Sequence, residues 1–174
     1  PVPVLNHNLD LQDPGPRGAI MPKNEELPIN LAGTEDHTYA ALAMCKKQGP
    51  AWVLDELEAS GLRGRGGAGF PTAFKWRAVA GQAVTERTVI CNADEGEPAT
   101  FKDREIMMRR PHLLLEGLAI AAQTIASREV IIYLRGEFRE CHHILSDAID
   151  AAPQLAPYNF RIVEGHGAYI CGEE

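Results

Sequence analysis

The chain has 174 residues, 45% of them hydrophobic and 24% charged, an ordinary globular composition able to bury a core within one domain. A net charge of −7, a pI near 5.4 and arginines dispersed along the sequence argue against a nucleic-acid surface. No apolar run is long enough to span a bilayer and no basic-then-apolar secretory pattern opens the chain, so it reads as soluble and intracellular.

Residues 1–36 hold six prolines, several Asn, Asp and Gly, and no sustained periodicity, and are expected to form an extended arm. Val2, Val4, Leu5, Leu9, Leu11 and Ile20 make this arm too apolar for a solvated tail, which suits docking on a partner subunit. From His37 a helical pattern begins, with Ala40, Ala41, Leu42 and Met44 giving way to Lys46 and Lys47, and Gly49-Pro50 stops it. A second helix is expected over 51–60, with Trp52, Val53, Leu54 and Leu57 on its apolar side and Asp55, Glu56 and Glu58 on its wet side.

Residues 60–72 then read Ser-Gly-Leu-Arg-Gly-Arg-Gly-Gly-Ala-Gly-Phe-Pro-Thr, and five of the nine residues over 61–69 are glycine, interleaved with two arginines. Glycine costs roughly 1 kcal/mol against alanine inside a helix and packs nothing inside a strand, so a run this dense serves the backbone itself. Exposed N–H groups with guanidinium charge nearby form a cradle for phosphate or another anion, and Phe70, restricted by the following Pro71, adds a flat apolar face. Gly64-Arg65-Gly66-Gly67-Ala68-Gly69 spells the dinucleotide fingerprint G-x-G-x-x-G, but a helix precedes it where that fingerprint needs a strand. A phosphate loop is excluded too, because Phe70-Pro71 follows in place of Lys-Ser or Lys-Thr. A short helix over 73–80 comes next, with Phe74, Trp76 and Val79 at helical spacing and Lys75 close enough to reach the same anion.

Thr88-Val89-Ile90-Cys91 is a β-branched strand entering the acidic turn Asn92-Ala93-Asp94-Glu95-Gly96-Glu97-Pro98. Asp94, Glu95 and Glu97 repel one another unless water, an arginine or ligand donors compensate them. A long helical region starts at Asp103, breaks at Pro111 and resumes through Leu113, Leu115, Leu118 and Ile125. A second strand over 129–134 is nearly all apolar, which implies burial on both faces. A helix over 136–152, with Phe138, His142, Leu145, Ala148 and Ile149 on one side, and a third strand over 160–163 complete the series. Strand, helix, strand, helix, strand implies a Rossmann-like α/β fold: a parallel βαβαβ sheet flanked by helices, preceded by a helical segment and the glycine-rich loop. The expected division is an arm over 1–36 and a binding domain over 37–174.

The four cysteines, Cys45, Cys91, Cys141 and Cys171, form no C-x-x-C pair, and Cys91 and Cys171 read as small buried hydrophobes. Cys141-His142-His143 resembles a metal cluster only in print, because consecutive helical residues point apart; a solvated helix face is the expectation, and no metal site is assigned. The last residues form a glycine-rich loop beyond a strand and read as the edge of a fragment whose parent chain continues.

Three blocks taken together, 60–72, Cys91-Asn-Ala-Asp-Glu-Gly-Glu-Pro98 with Thr100-Phe-Lys-Asp-Arg104, and Gly167-Ala-Tyr-Ile-Cys-Gly-Glu-Glu174, resemble one family over 39–174. It is the NADH-oxidising flavoprotein subunit of respiratory complex I, shared with the diaphorase subunits of NAD-reducing hydrogenases and NAD-linked formate dehydrogenases. The resemblance implies FMN as cofactor and NAD(H) as substrate, with hydride passing between them and no catalytic acid or base from the protein. It assigns Gly64, Arg65, Gly66, Gly67, Lys75, Asn92, Asp94, Glu95, Gly172, Glu173 and Glu174 to FMN, and Phe70, Glu97, Tyr169 and Glu174 to NADH. Glu95 and Glu97 would also tune the flavin, since carboxylates disfavour an anionic reduced form. Iron–sulfur subunits of a larger redox complex are the implied partners, a 4Fe-4S cluster is implied only in the missing C-terminal region, and this fragment alone is expected to be inactive. The cytoplasm, or the matrix side of mitochondria, is the implied compartment, with a membrane reached only through the complex. A non-catalytic subunit of the same fold is the alternative. Ala99 departs from the family's usual glycine, and His166 replaces a small residue.

Overall fold

The computed structural model describes residues 37–65, 68–166 and 168. The expected arm over 1–36 lies outside them, as do Gly66, Gly67, Tyr169, Gly172, Glu173 and Glu174.

Helix α1 spans Ala40–Gln48, carries Lys46 and Lys47 in its last turn, and ends at Gly49, whose φ of 87° needs a residue without a Cβ. Pro50 opens α2 (Pro50–Ser60) at the position where its missing N–H is harmless, and Gly61 closes it in the left-handed region at φ 65°. Helix α3 (Thr72–Ala80) follows the glycine loop. The sheet then alternates with helices: β1 (Thr88–Ala93), α4 (Lys102–Arg109), α5 (Pro111–Thr124), β2 (Glu129–Arg135), α6 (Arg139–Asp150), a 3-10 turn at Pro153–Leu155 and β3 (Asn159–Gly165). Each expected element is present, and the break at Pro111 falls where proline's absent N–H separates α4 from α5.

The strands run parallel in the order β1-β2-β3, with Thr88 beside Glu129 and Glu129 beside Asn159, and further along Asn92 beside Tyr133 and Tyr133 beside Val163. On one face Val130 is fully buried, and Ile132 and Leu134 join Leu115, Ala119, Cys141 and Leu145 of α5 and α6 in one core cluster, with Leu42 and Met107 completing it. The expectation of burial on both faces is not met among the described residues: Ile90 is 64% and Val163 38% exposed on the opposite face, and Ile131 and Tyr133 are only half-buried. The reason is topological. Strand order advances in one direction, so two right-handed crossovers put α5 and α6 on the same side.

The inner stripe of α6 runs through Cys141, Leu145 and Ala148, at i, i+4 and i+7. Cys141 is therefore a core residue and not part of a solvated face, while His142, expected on the inner side, is half-buried and His143 is exposed. Arg87 joins the helix ends to the sheet, donating to the carbonyls of Ile125 (2.8 Å), Ala80 (3.2 Å) and Gln82 (2.7 Å). Cationic donors at helix C-termini satisfy carbonyls that no intrahelical N–H can reach.

Candidate functional site

The glycine run forms a loop pinched at its base. Arg63 and Pro71 make an antiparallel bridge, Gly64 donates its N–H to the Phe70 carbonyl at 2.9 Å, and Thr72 donates to the Leu62 carbonyl at 3.0 Å. Arg63 adds a guanidinium bond to the Gly69 carbonyl at 3.1 Å, and Gly69 sits at φ 61°, a conformation that costs a side-chain-bearing residue. Of the residues expected to bind an anion here, Gly64, Arg65 and Lys75 are described, and Arg65 stands exposed in the loop. Lys75 Nζ lies 5.8 Å from the Phe70 ring centre. Phe74, assigned only a packing role from its spacing, is 63% exposed and meets Phe70 edge-on at 5.5 Å between centroids. The pair presents an aromatic step to solvent beside a cleft of about 330 Å³ lined by Leu62, Arg63, Phe74 and Arg77.

The second part lies at the carboxyl ends of the strands, where ligands settle in parallel sheets. Asp94 follows β1 directly and is buried, yet its Oδ2 has no hydrogen-bond partner. Gly165 ends β3 against it: a Cβ there would stand 2.8 Å from Asp94 Oδ2 and 3.1 Å from the Tyr133 hydroxyl. Gly136, just past β2, approaches so closely that its own Cβ would meet the Gly165 carbonyl at 2.6 Å. Two glycines thus let three strand ends converge beside a buried carboxylate oxygen that has no hydrogen-bond partner. Asn92 is exposed at the end of β1, on the uncovered face, and its side-chain oxygen accepts the Asp94 N–H at 3.3 Å.

Glu95, expected to face a cofactor, also caps the helix that follows. Its Oε1 accepts the Asp103 N–H at 3.0 Å and its Oε2 the Arg104 N–H at 3.2 Å. Its carbonyl accepts from Arg135 Nη1 at 2.7 Å, and Arg135 is held in turn by both oxygens of Glu137, at 2.9 and 3.2 Å. The Glu137 hydrogen bond raises the Arg135 pKa, with the charges of Glu137, Asp94 and Glu95 adding to it, so the arginine is a fixed cation beside the acidic turn. Sequence reading gave Arg135 no task, because its partner lies 40 positions away. Glu97 lies in the turn that follows, and its carbonyl accepts the Thr100 N–H at 3.1 Å. Cys91, beneath the turn, has its thiol pushed up to about 11 by burial and by Asp103, which makes it a poor nucleophile and suits its expected role as a small hydrophobe.

A second cleft, about 560 Å³, lies elsewhere, between the α4–α5 corner and α6, and is lined by Arg109, Arg110, His112 and Asp147 among others. The buried polar atoms left without a partner among the described residues are Arg87 Nε and Asp94 Oδ2, and neither residue lines that cleft. Among the described residues, only the strand-end site therefore combines an unpartnered buried acceptor with glycine-permitted close approach.

Comparison with known proteins places the same stretches in context. The family model described as the Nuo51 FMN-binding domain matches residues 57–174. An NADH-quinone oxidoreductase subunit from Aquifex aeolicus is 44% identical over 151 residues, covering 80% of this chain and 35% of that protein. The mitochondrial NADH dehydrogenase [ubiquinone] flavoprotein 1 of Dictyostelium discoideum is 44% identical over 140 residues, 73% of this chain and 29% of that one. In a crystal structure of an NAD⁺-reducing [NiFe]-hydrogenase in the air-oxidized state, one chain superposes with a TM-score of 0.71 at 39% identity, covering 87% of this chain and 25% of that chain. The chain thus spans about a third or less of the relatives it matches.

Proposed function

This chain belongs to the Nuo51 FMN-binding domain family, and on that premise we propose that it forms the flavin-binding part of an NADH-oxidising flavoprotein subunit, which passes electrons to iron–sulfur clusters of a larger redox complex. The observation that carries the reading is the buried, unpartnered Asp94 Oδ2 at the strand ends. FMN offers a chain of hydroxyls that donate to such an oxygen, a phosphate that suits a loop of backbone N–H groups with an arginine, and a flat ring that backbone without side chains can approach closely. Pinched glycine loop, unpartnered carboxylate oxygen and converging glycines fit those three parts. Bound there, FMN would supply the two-electron acceptor for hydride from NADH and release the electrons singly.

The chain's own residues would bind, orient and exclude water. Gly64, Arg65, Gly66, Gly67 and Lys75 would hold the phosphate side. Asp94 and Glu95 would accept from the hydroxyl chain or ring, Asn92 would accept or donate there, and Gly172, Glu173 and Glu174 would complete the pocket. Phe70 and Tyr169, with Glu97 and Glu174 as acceptors for ribose or amide, would hold the nicotinamide dinucleotide, and the exposed Phe74 extends that aromatic surface. We take 37–174 as the binding domain and 1–36 as an arm that docks on a partner. The 4Fe-4S cluster is proposed for the part of the subunit beyond this chain, and the compartment as cytoplasm or mitochondrial matrix. No helix among the described residues is long and apolar enough to cross a membrane.

The test is reconstitution of the full-length protein with FMN. A yellow protein that reduces an artificial acceptor with NADH is expected, with Asp94→Ala losing most of the bound flavin; colourless, inactive protein would sink the reading.

A further inference from the structure

We infer that Tyr133, in the middle strand β2, is a further cofactor-binding residue: its phenol hydroxyl and the Asp94 carboxylate grip one segment of the flavin, the hydroxyl donating to a flavin oxygen and Asp94 Oδ2 accepting from a flavin donor. The inference rests on the flavin reading above and brings into the site a strand that has so far contributed no cofactor contact.

Register puts Tyr133 on the right side of the sheet. Asn92 of β1 is paired with Tyr133, and Tyr133 in turn with Val163 of β3. Laterally paired residues send their side chains out of a sheet on the same side, and alternate residues along a strand point oppositely. Ile132 and Leu134, the neighbours of Tyr133 in sequence, are buried in the core under α5 and α6, so Tyr133 stands on the uncovered face in one row with Asn92. Asn92 is a residue to which the flavin reading already gives a contact, and the tyrosine is its immediate lateral neighbour.

The direction of the phenol is given by Gly165. That glycine lies two residues past Val163, at the carboxyl end of β3, and a Cβ placed on it would stand 3.1 Å from both Cζ and the hydroxyl oxygen of Tyr133 and 2.8 Å from Asp94 Oδ2. The ring therefore leans along the strands to their carboxyl ends, where ligands settle in parallel sheets. One point on the sheet is adjacent to both oxygens, and it is a point where any side chain would force them away. Glycine is what permits a phenol from β2 and a carboxylate from the end of β1 to converge over β3.

The chemistry of the pair points to a ligand. Asp94 is buried, and among the described residues its Oδ2 has no hydrogen-bond partner, which is costly for a carboxylate. A nearby phenol is the simplest donor inside the protein that could satisfy it, and the structure does not make that bond. A ligand segment carrying a donor beside an acceptor, as a polyol chain or a ring amide does, satisfies the carboxylate and takes the phenol proton in the same step of binding. Phenylalanine at this position would fill the same volume on the sheet and offer the flavin no hydrogen bond.

The experiment uses the full-length protein with Tyr133→Phe, Asp94→Asn and the double variant, and reads the FMN dissociation constant together with the thermal midpoint of the apoprotein. Tyr133→Phe should weaken FMN binding roughly tenfold and leave the apoprotein midpoint at its wild-type value, because the ring is kept and only the hydroxyl is lost. The double variant should weaken binding by less than the product of the two single losses, since both groups act on one segment of the cofactor. Wild-type FMN affinity in Tyr133→Phe overturns the inference, and so does a lowered apoprotein midpoint accounting for the lost affinity, which would make the hydroxyl a structural group. Losses that simply multiply in the double variant overturn the shared grip. If the wild-type protein takes up no FMN, the flavin reading falls and this inference with it; if the wild type binds FMN and Tyr133→Phe binds it equally well, the inference falls alone.

Discussion

Ala99 sits at φ 65°, in the left-handed region where a Cβ crowds the backbone at a cost of roughly 1–2 kcal/mol. It lies within the tight turn closed by the Thr100 N–H on the Glu97 carbonyl. Glycine would relieve that strain and return part of the gain as greater freedom of the unfolded chain. Ala99→Gly is expected to raise stability by up to about 1 kcal/mol, read as an increase of a few degrees in the thermal midpoint; a lower midpoint would show that the turn carries no strain. The position was legible in the sequence as a departure from the family's glycine. The work of Glu95 was not, since a carboxylate in an acidic turn reads the same whether it meets a ligand or a helix end eight residues on. Only the third dimension separates the two.

Among elements, α1 and α5 are locked by a polar cluster that sequence reading passed over. Glu116, buried in α5, accepts the Leu42 N–H at 2.8 Å through one oxygen and meets His37 Nε2 at 2.7 Å through the other. Tyr39 and His112 pair at 2.9 Å beside it. Burial, and the neighbouring Glu116 charge, push the Tyr39 phenol up to about 12, so it stays a neutral partner throughout the physiological range. His112 has its pKa lowered, first by burial and then by His37. A group with a depressed folded pKa binds fewer protons folded than unfolded, so its neutral form stabilises the fold above the ordinary histidine value. That contribution disappears as pH falls through the folded value. Urea midpoints should therefore drop as pH is lowered from neutral into the acid range below the ordinary histidine value, and His112→Gln should flatten the dependence; an identical slope in both proteins would place the effect on other groups. The residues are separated by 73 to 79 positions, and periodicity within one helix carries no trace of such pairings. The helices and strands themselves were legible because hydrophobic period, Gly49, Gly61 and Pro111 mark them locally.

Across the whole molecule the sheet is one-sided among the described residues. An apolar β2 reads as doubly buried, yet which face a helix covers depends on strand order and crossover handedness, and neither is written in any one segment. The open face carries Ile90 at 64% exposure on the edge strand β1, next to Ile131, which is the kind of surface that pairs with other copies. Ile90→Thr should leave the unfolding free energy of this chain within about 0.5 kcal/mol of wild type, as a substitution at an exposed site. It should also reduce concentration-dependent association in sedimentation velocity; unchanged association would move the contact to another surface.

The pinch beneath the glycine loop has a consequence for how the chain tolerates change in length. Because Gly64 and Phe70 are joined by their own backbone hydrogen bond, as are Leu62 and Thr72, the feet of the loop hold their spacing whatever the tip contains. Closure cost grows only with the logarithm of loop length, so two inserted residues would add roughly 0.2 kcal/mol. An insertion between those feet is therefore expected to leave α2 and α3 undisturbed.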